Sequence, residues 1–285
     1  MENGMQPESL NAAAREDAPR NGSWRERIIL GEQCPPRSVP EWLAASYETL
    51  RGKVMDPAYP CFFGTQAEKR GEMFYSYVTG RDWSMLPATM RTFARLSALP
   101  QYQKNNIAIF FEPDREPRGH DAYREDFWRI LQGLHDVDPD PAADSQPDPD
   151  HADWEFSFAG VQMFVVCACP SFRVRHSRNL GPGMVLLFQP RSVFIDKVTN
   201  RVIGLQARTE VRRRLERWDD IGAHPDLGFY GDPDNREWKQ YFLPDDNTAA
   251  SRCPFLNRRH AASDRTATDG EASTQTPVPL KGKGL

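Results

Sequence analysis

Apolar and polar positions alternate most regularly along two runs that meet at Ala159-Gly160, within WEFSFAGVQMFVVCACP. A two-residue turn at Ala-Gly would fix the register by counting outward. Phe158 then pairs with Val161, Ser157 with Gln162, Phe156 with Met163 and Glu155 with Phe164. Alternation puts Trp154, Phe156, Phe158, Val161, Met163 and Val165 on one face and Glu155, Ser157, Gln162, Phe164 and Val166 on the other. The first face reads as core. The second mixes polar and apolar groups, which suits the wall of a pocket.

Helical spacing of Trp42, Leu43, Tyr47 and Leu50 predicts a first helix, with Pro40 in its first turn and Ser38 as its cap. Tyr59 to Gly64 reads as a short strand and Glu72 to Val78 as another, with TQAEKRG between them as a helical turn or loop. An amphipathic helix is expected over Leu86 to Leu99, a buried strand over Asn106 to Phe111, and a helix over HDAYREDFWRILQGLH. After His135 comes a Pro/Asp-rich loop, expected at the surface and with the length of a lid. Met184 to Gln189 reads as a strand, Ala207 to Trp218 as a helix, and 219–247 as a turn-rich closing segment. Irregular alternation of strands and helices, with an antiparallel hairpin, favours α+β: a single domain with a largely antiparallel sheet flanked by helices.

Composition trims this picture at both ends. Residues 1–37 and 249–285 are polar and aperiodic and are expected to be disordered or loosely attached, leaving a globular part over 38–248. The low mean hydropathy of −0.67 fits polar tails around an ordinary core. A net charge of −4 gives no bulk attraction to nucleic acid or anionic membrane. No apolar run approaches the roughly 20 residues of a bilayer span, and the first residues have no apolar leader, so a cytoplasmic protein is expected. Five scattered cysteines make a poor disulfide framework and lack structural-zinc spacing.

Nucleotide-binding glycine loops, the H-E-x-x-H pattern and G-x-S-x-G are all missing from the sequence. Four weaker signals remain. Arg173, Arg175, His176, Ser177 and Arg178 follow one strand and Arg191 ends the next; such guanidinium forks bind carboxylates or phosphates, or else form a solvated turn paired with acidic loops. His135 ends a helix at the edge of its apolar stripe, as a C-terminal capping residue or as a metal ligand. Cys61, between Pro60 and two phenylalanines, is inert packing or a thiolate ligand. Glu155 lies in an aromatic setting where a lone carboxylate is costly, so its partner is either a nearby arginine or a cationic ligand.

An ordered set of segments resembles the YqcI/YcgG family: PCFFG at 60–64, FWRILQGLHDVD at 127–138, WEFSFAGVQMFVV at 154–166, RHSR at 175–178, FQPR at 188–191 and HPDLGFYGDPDNREWKQYFLPDDN at 224–247. The tails lie outside the resemblance, and Phe172 stands where many relatives carry a His. What the resemblance implies is a haem-dependent N-hydroxylase of guanidine groups. It would convert L-arginine to Nω-hydroxy-L-arginine in natural-product pathways such as that of cycloserine. On that reading His135, with Cys61 as second choice, would ligate the iron of a b-type haem. Arg175, Ser177, Arg178 and Arg191 would hold its propionates, and Trp128 and Phe156 would wall the macrocycle. Glu155, as the catalytic and substrate-positioning residue, would pair with the guanidinium beside Gln162. The oxidant would be O₂ with an external reductant, or H₂O₂. A non-catalytic haem- or small-anion-binding protein would use the same features.

Overall fold

The computed structural model describes residues 28–31, 39–116, 118–193, 201–228 and 233–256. In chain order the regular elements are β1 (Ile29–Leu30), α1 (Glu41–Val54), α2 (Phe62–Arg70), β2 (Met73–Val78), α3 (Leu86–Ser97), β3 (Asn106–Phe111), α4 (His120–Asp136), β4 (Ser157–Phe158), β5 (Val161–Ala168), β6 (Val185–Pro190), α5 (Arg201–Trp218) and α6 (Trp238–Tyr241). The six strands form one sheet in the order β1-β2-β3-β6-β5-β4. Only β2 and β3 run parallel, joined through α3 because a parallel pair needs a crossover; the other four pairings are antiparallel. The expected α+β architecture with a largely antiparallel sheet is the one observed.

Both faces of the sheet are covered. Along β3, Ile107, Ile109 and Phe111 join the core cluster of α3 and α4, while Ala108 and Phe110 join the cluster of α1 and α2. A strand buried on both faces reads as an unbroken apolar run, and NIAIFF does. Phe127 of α4 and Phe93 of α3 are fully enclosed, and truncating either to Ala is expected to cost about 3–5 kcal/mol. No helix among the described residues is long and apolar enough to cross a membrane.

The hairpin follows the register counted from its turn. Ser157 pairs with Gln162 and Phe158 with Val161, and Met163 N donates to Phe156 O at 2.8 Å. Ala159 (φ 50°) and Gly160 (φ 77°) both take the left-handed conformation that a primed two-residue turn requires. Asp138 holds this turn from outside, its Oδ1 accepting from Ala159 N at 2.9 Å. The Pro/Asp-rich loop is therefore anchored, not a free flap: Ala143 is buried within it, and Asp150 O accepts from Arg236 Nε.

Three expectations change. Tyr59 to Gly64 is not a strand. Cys61 is the N-cap of α2, its sulfur accepting from Gly64 N, and Gly71 ends the helix at φ 65°. The good helix formers of QAEKR outweigh the aromatic pair that suggested a strand. Pro40 is the N-cap residue of α1 and not a first-turn residue, and Ser38 lies outside the described residues. The packed part also reaches beyond 38–248. Ile28 and Ile29 are buried as β1 extends the sheet edge, and Cys253 and Phe255 are buried against the α4 side. Short apolar pairs in polar surroundings carry too little periodicity to stand out in the sequence.

Candidate functional site

Glu155, Arg191 and Glu237 converge from distant parts of the chain: just before the hairpin, directly after β6, and directly before α6. Arg191 Nη1 donates to Glu155 Oε1 at 2.5 Å and to Glu237 Oε1 at 3.2 Å. All three side chains are buried. Among the described residues one guanidinium thus faces two carboxylates, and these three side chains carry one surplus negative charge when both are ionised. Burial pushes the Glu155 carboxyl up to about 7, aided by the charge of Glu237 and opposed by Arg191. Burial raises Glu237 as well. Glu155 Oε2 is enclosed and accepts no hydrogen bond among the described residues. Such an acceptor costs about 1–3 kcal/mol while unmatched, so a ligand bringing an N–H donor would find it prepared.

Aromatic rings surround this cluster. Tyr241 lies 6.5 Å from Trp128 in a stacked arrangement, 6.2 Å from Trp154 and edge-on to Phe164 at 5.4 Å. Its hydroxyl accepts from Phe156 N at 3.2 Å and donates to Met163 O at 3.4 Å, which locks α6 onto β5. The enclosed indole N–H groups of Trp154 and Trp238 meet no acceptor among the described residues. An unspent carboxylate oxygen and π faces in one buried region are what a planar cation needs, while the indole N–H groups call for an acceptor of their own.

Of the sequence candidates, the structure brings together Glu155, Arg191, Trp128 and Phe156. Glu155 does have the internal arginine partner that was one of its two readings, yet it keeps an oxygen to spare. Gln162 is exposed and takes no part in the enclosed cluster. Arg175, Ser177 and Arg178 spend most of their hydrogen bonds within the protein. Arg175 is 1% exposed and donates to Pro244 O, Asp246 O and Asn247 Oδ1. Ser177 is held at both N and Oγ by Asp219. Arg178 donates to Gln240 O at 3.0 Å and, at longer range, to the carbonyls of Cys167 and Tyr241. Asp245 completes the knot, accepting from the backbone N–H groups of Arg173, Val174 and Arg175. This cluster is not a solvated turn: it fastens residues 240–247 beneath the sheet end, with Arg175 Nη1 enclosed and without an acceptor among the described residues.

Glu237, Trp238 and Tyr241 were missed. Their segment reads as turns, although a carboxylate beside Trp and Tyr carries the same desolvation argument that singled out Glu155.

No group of three or more His, Cys, Asp or Glu among the described residues is arranged to hold a metal ion. An iron here would need the four nitrogens of a macrocycle and a single protein ligand. His135 is 3% exposed, with the Phe255 ring 5.0 Å away. Cys61 is exposed, its sulfur accepts an amide N–H, and Arg178 acts on it electrostatically. An amide N–H donated to sulfur is one feature that favours a sulfur ligand.

Comparison with known proteins fits this arrangement into a lineage. Two Bacillus subtilis (strain 168) proteins, YcgG and YqcI, both named as uncharacterized, are 35% and 34% identical to the chain. The alignments cover 76% and 78% of it, and 89% and 91% of those proteins. A Streptomyces lavendulae protein provisionally named N(omega)-hydroxy-L-arginine synthase DcsA is 29% identical, over 84% of this chain and 93% of its own. No solved structure matches. The family profile spans residues 50–256, from the end of α1 to the segment that buries Phe255, and the chain belongs to the YqcI/YcgG family.

Proposed function

We propose that this protein is an oxidoreductase that hydroxylates a guanidine nitrogen, with L-arginine as the substrate. The carrying observation is the buried Glu155–Arg191–Glu237 cluster, which has one negative charge in excess when both carboxyls are ionised and a carboxylate oxygen unmatched among the described residues. A guanidinium supplies what is lacking: one positive charge and a planar fork of N–H donors. Glu155 Oε2 accepts from it, Arg191 fixes Oε1, and Glu237 balances Arg191. The rings of Trp128, Trp154 and Tyr241 offer faces for the guanidinium and keep water out. A carboxyl near pH 7 is also placed to take a proton from the guanidinium, leaving a nitrogen lone pair available for oxidation. The name carried by the Streptomyces relative supports this choice of substrate.

The oxidising power would come from a b-type haem held through His135, or through Cys61 as second choice, using O₂ with an external reductant or H₂O₂. The test is the visible spectrum of the purified, haem-supplemented protein with and without L-arginine, followed by mass spectrometry of the amino acid after oxidant is added. The expected result is a Soret band that shifts with arginine and a product heavier by one oxygen atom. A protein with no Soret band would overturn the haem assignment. Arginine that never gains oxygen would overturn the reaction.

A further inference from the structure

A second, positively charged pocket lies against α5. It encloses about 150 Å³ and is lined by Pro57, Ala58, Arg213, Arg214, Arg217 and Trp218. Arg214 is held rigidly: Nε donates to Glu210, and Nη1 donates to Pro57 O at 3.1 Å and Tyr59 O at 3.2 Å. Arg213 shares the same Glu210. Arg217 is exposed and has no carboxylate partner among the described residues. Three guanidiniums around one carboxylate leave two positive charges uncompensated. Trp218, which forms one wall, has an enclosed indole N–H that meets no acceptor among the described residues. A fork fixed by main-chain carbonyls loses little freedom on binding, and the volume suits a small oxyanion, not a ring system.

We infer that this pocket binds a carboxylate- or phosphate-sized oxyanion, through Arg213, Arg214 and Arg217 with the Trp218 indole as a neutral donor. Two sources could supply that chemistry: a free anion, or the carboxylate arms of a porphyrin. The second arises because Arg214 also lies 5.9 Å from the Phe62 ring, next to Cys61.

The test uses the full-length haem-free protein titrated with inorganic phosphate, read by tryptophan fluorescence and by calorimetry. Saturable binding is expected, weakening as NaCl rises and falling at least tenfold in Arg217→Gln. The fluorescence response should vanish in Trp218→Phe, which keeps the ring contact to Tyr59. Arg95→Gln, an exposed change on α3, should bind as the parent does. A response that does not saturate, or equal affinity in parent and Arg217→Gln, would overturn the inference. Repeating the titration after loading with iron protoporphyrin IX separates the sources: lost phosphate binding means porphyrin carboxylates fill the pocket, and retained binding means a free anion does. Failure to take up haem would count against the proposed reaction and leave the phosphate result standing.

Discussion

Two buried charge clusters lie beside α6, and they are built on opposite principles. Around Arg175 and Arg178 most hydrogen bonds run to carbonyls of 240–247, with Arg175 Nη1 left enclosed without an acceptor among the described residues, and Asp219 and Asp245 spend their oxygens on hydroxyl and backbone N–H groups. Around Arg191 the arithmetic is left open, with two carboxylates on one guanidinium and one oxygen enclosed without a donor. The first region has more charges and leaves over a donor; the second leaves over the acceptor that a cation needs. Charge density in a sequence therefore says little about where a ligand goes. What decides it is whether the charges have already answered one another.

The largest effect should come from breaking the closed region. Arg175→Ala strips bonds from Pro244, Asp246 and Asn247. It should cost about 3 kcal/mol or more in urea denaturation. The arginine affinity of the folded fraction should be unchanged. If affinity falls in step with stability, the two regions are not separable as argued. Glu155→Gln should do the reverse: L-arginine affinity falls about 100-fold by calorimetry, near 3 kcal/mol, while stability shifts by about 1 kcal/mol at most because the surplus charge is gone.

The open region should also titrate. Below its raised pKa Glu155 is neutral and cannot match a cation, so arginine affinity should climb as pH rises through about 7. Without ligand the sign reverses. A carboxyl raised in the folded state contributes stability below the ordinary value of 4.5, and that contribution is lost as pH climbs through about 7. Glu237→Gln removes the second-largest cause of the shift and should move both midpoints down; midpoints that stay put would show that burial alone sets them. The smallest effect belongs to Gln162→Ala, whose exposed side chain should change neither affinity nor stability by more than about 0.5 kcal/mol.

The hairpin was legible because Ala159-Gly160 and strict alternation specify one register, and α4 because its apolar stripe repeats over four turns. Glu155 and Arg191 could be named from local chemistry alone. Glu237 could not be joined to them, since its bond to Arg191 spans 46 residues and nothing in the turn-rich stretch around it announces a neighbour. Arg175 and Arg178 misled for the same reason. Their partners are backbone carbonyls of 240–247, and a carbonyl has no letter in a sequence. Cys61 misled differently, since two aromatics outshouted a helix whose start depends on one sulfur.

Because the open cluster is assembled from residues before β4, after β6 and before α6, no unfolded or half-folded chain possesses it. A ligand that reads it binds the native state alone, so each tenfold excess over its dissociation constant should add about 1.4 kcal/mol to the unfolding free energy. Arginine analogues could then be ranked by melting temperature in a plate, before any oxidant or cofactor is supplied.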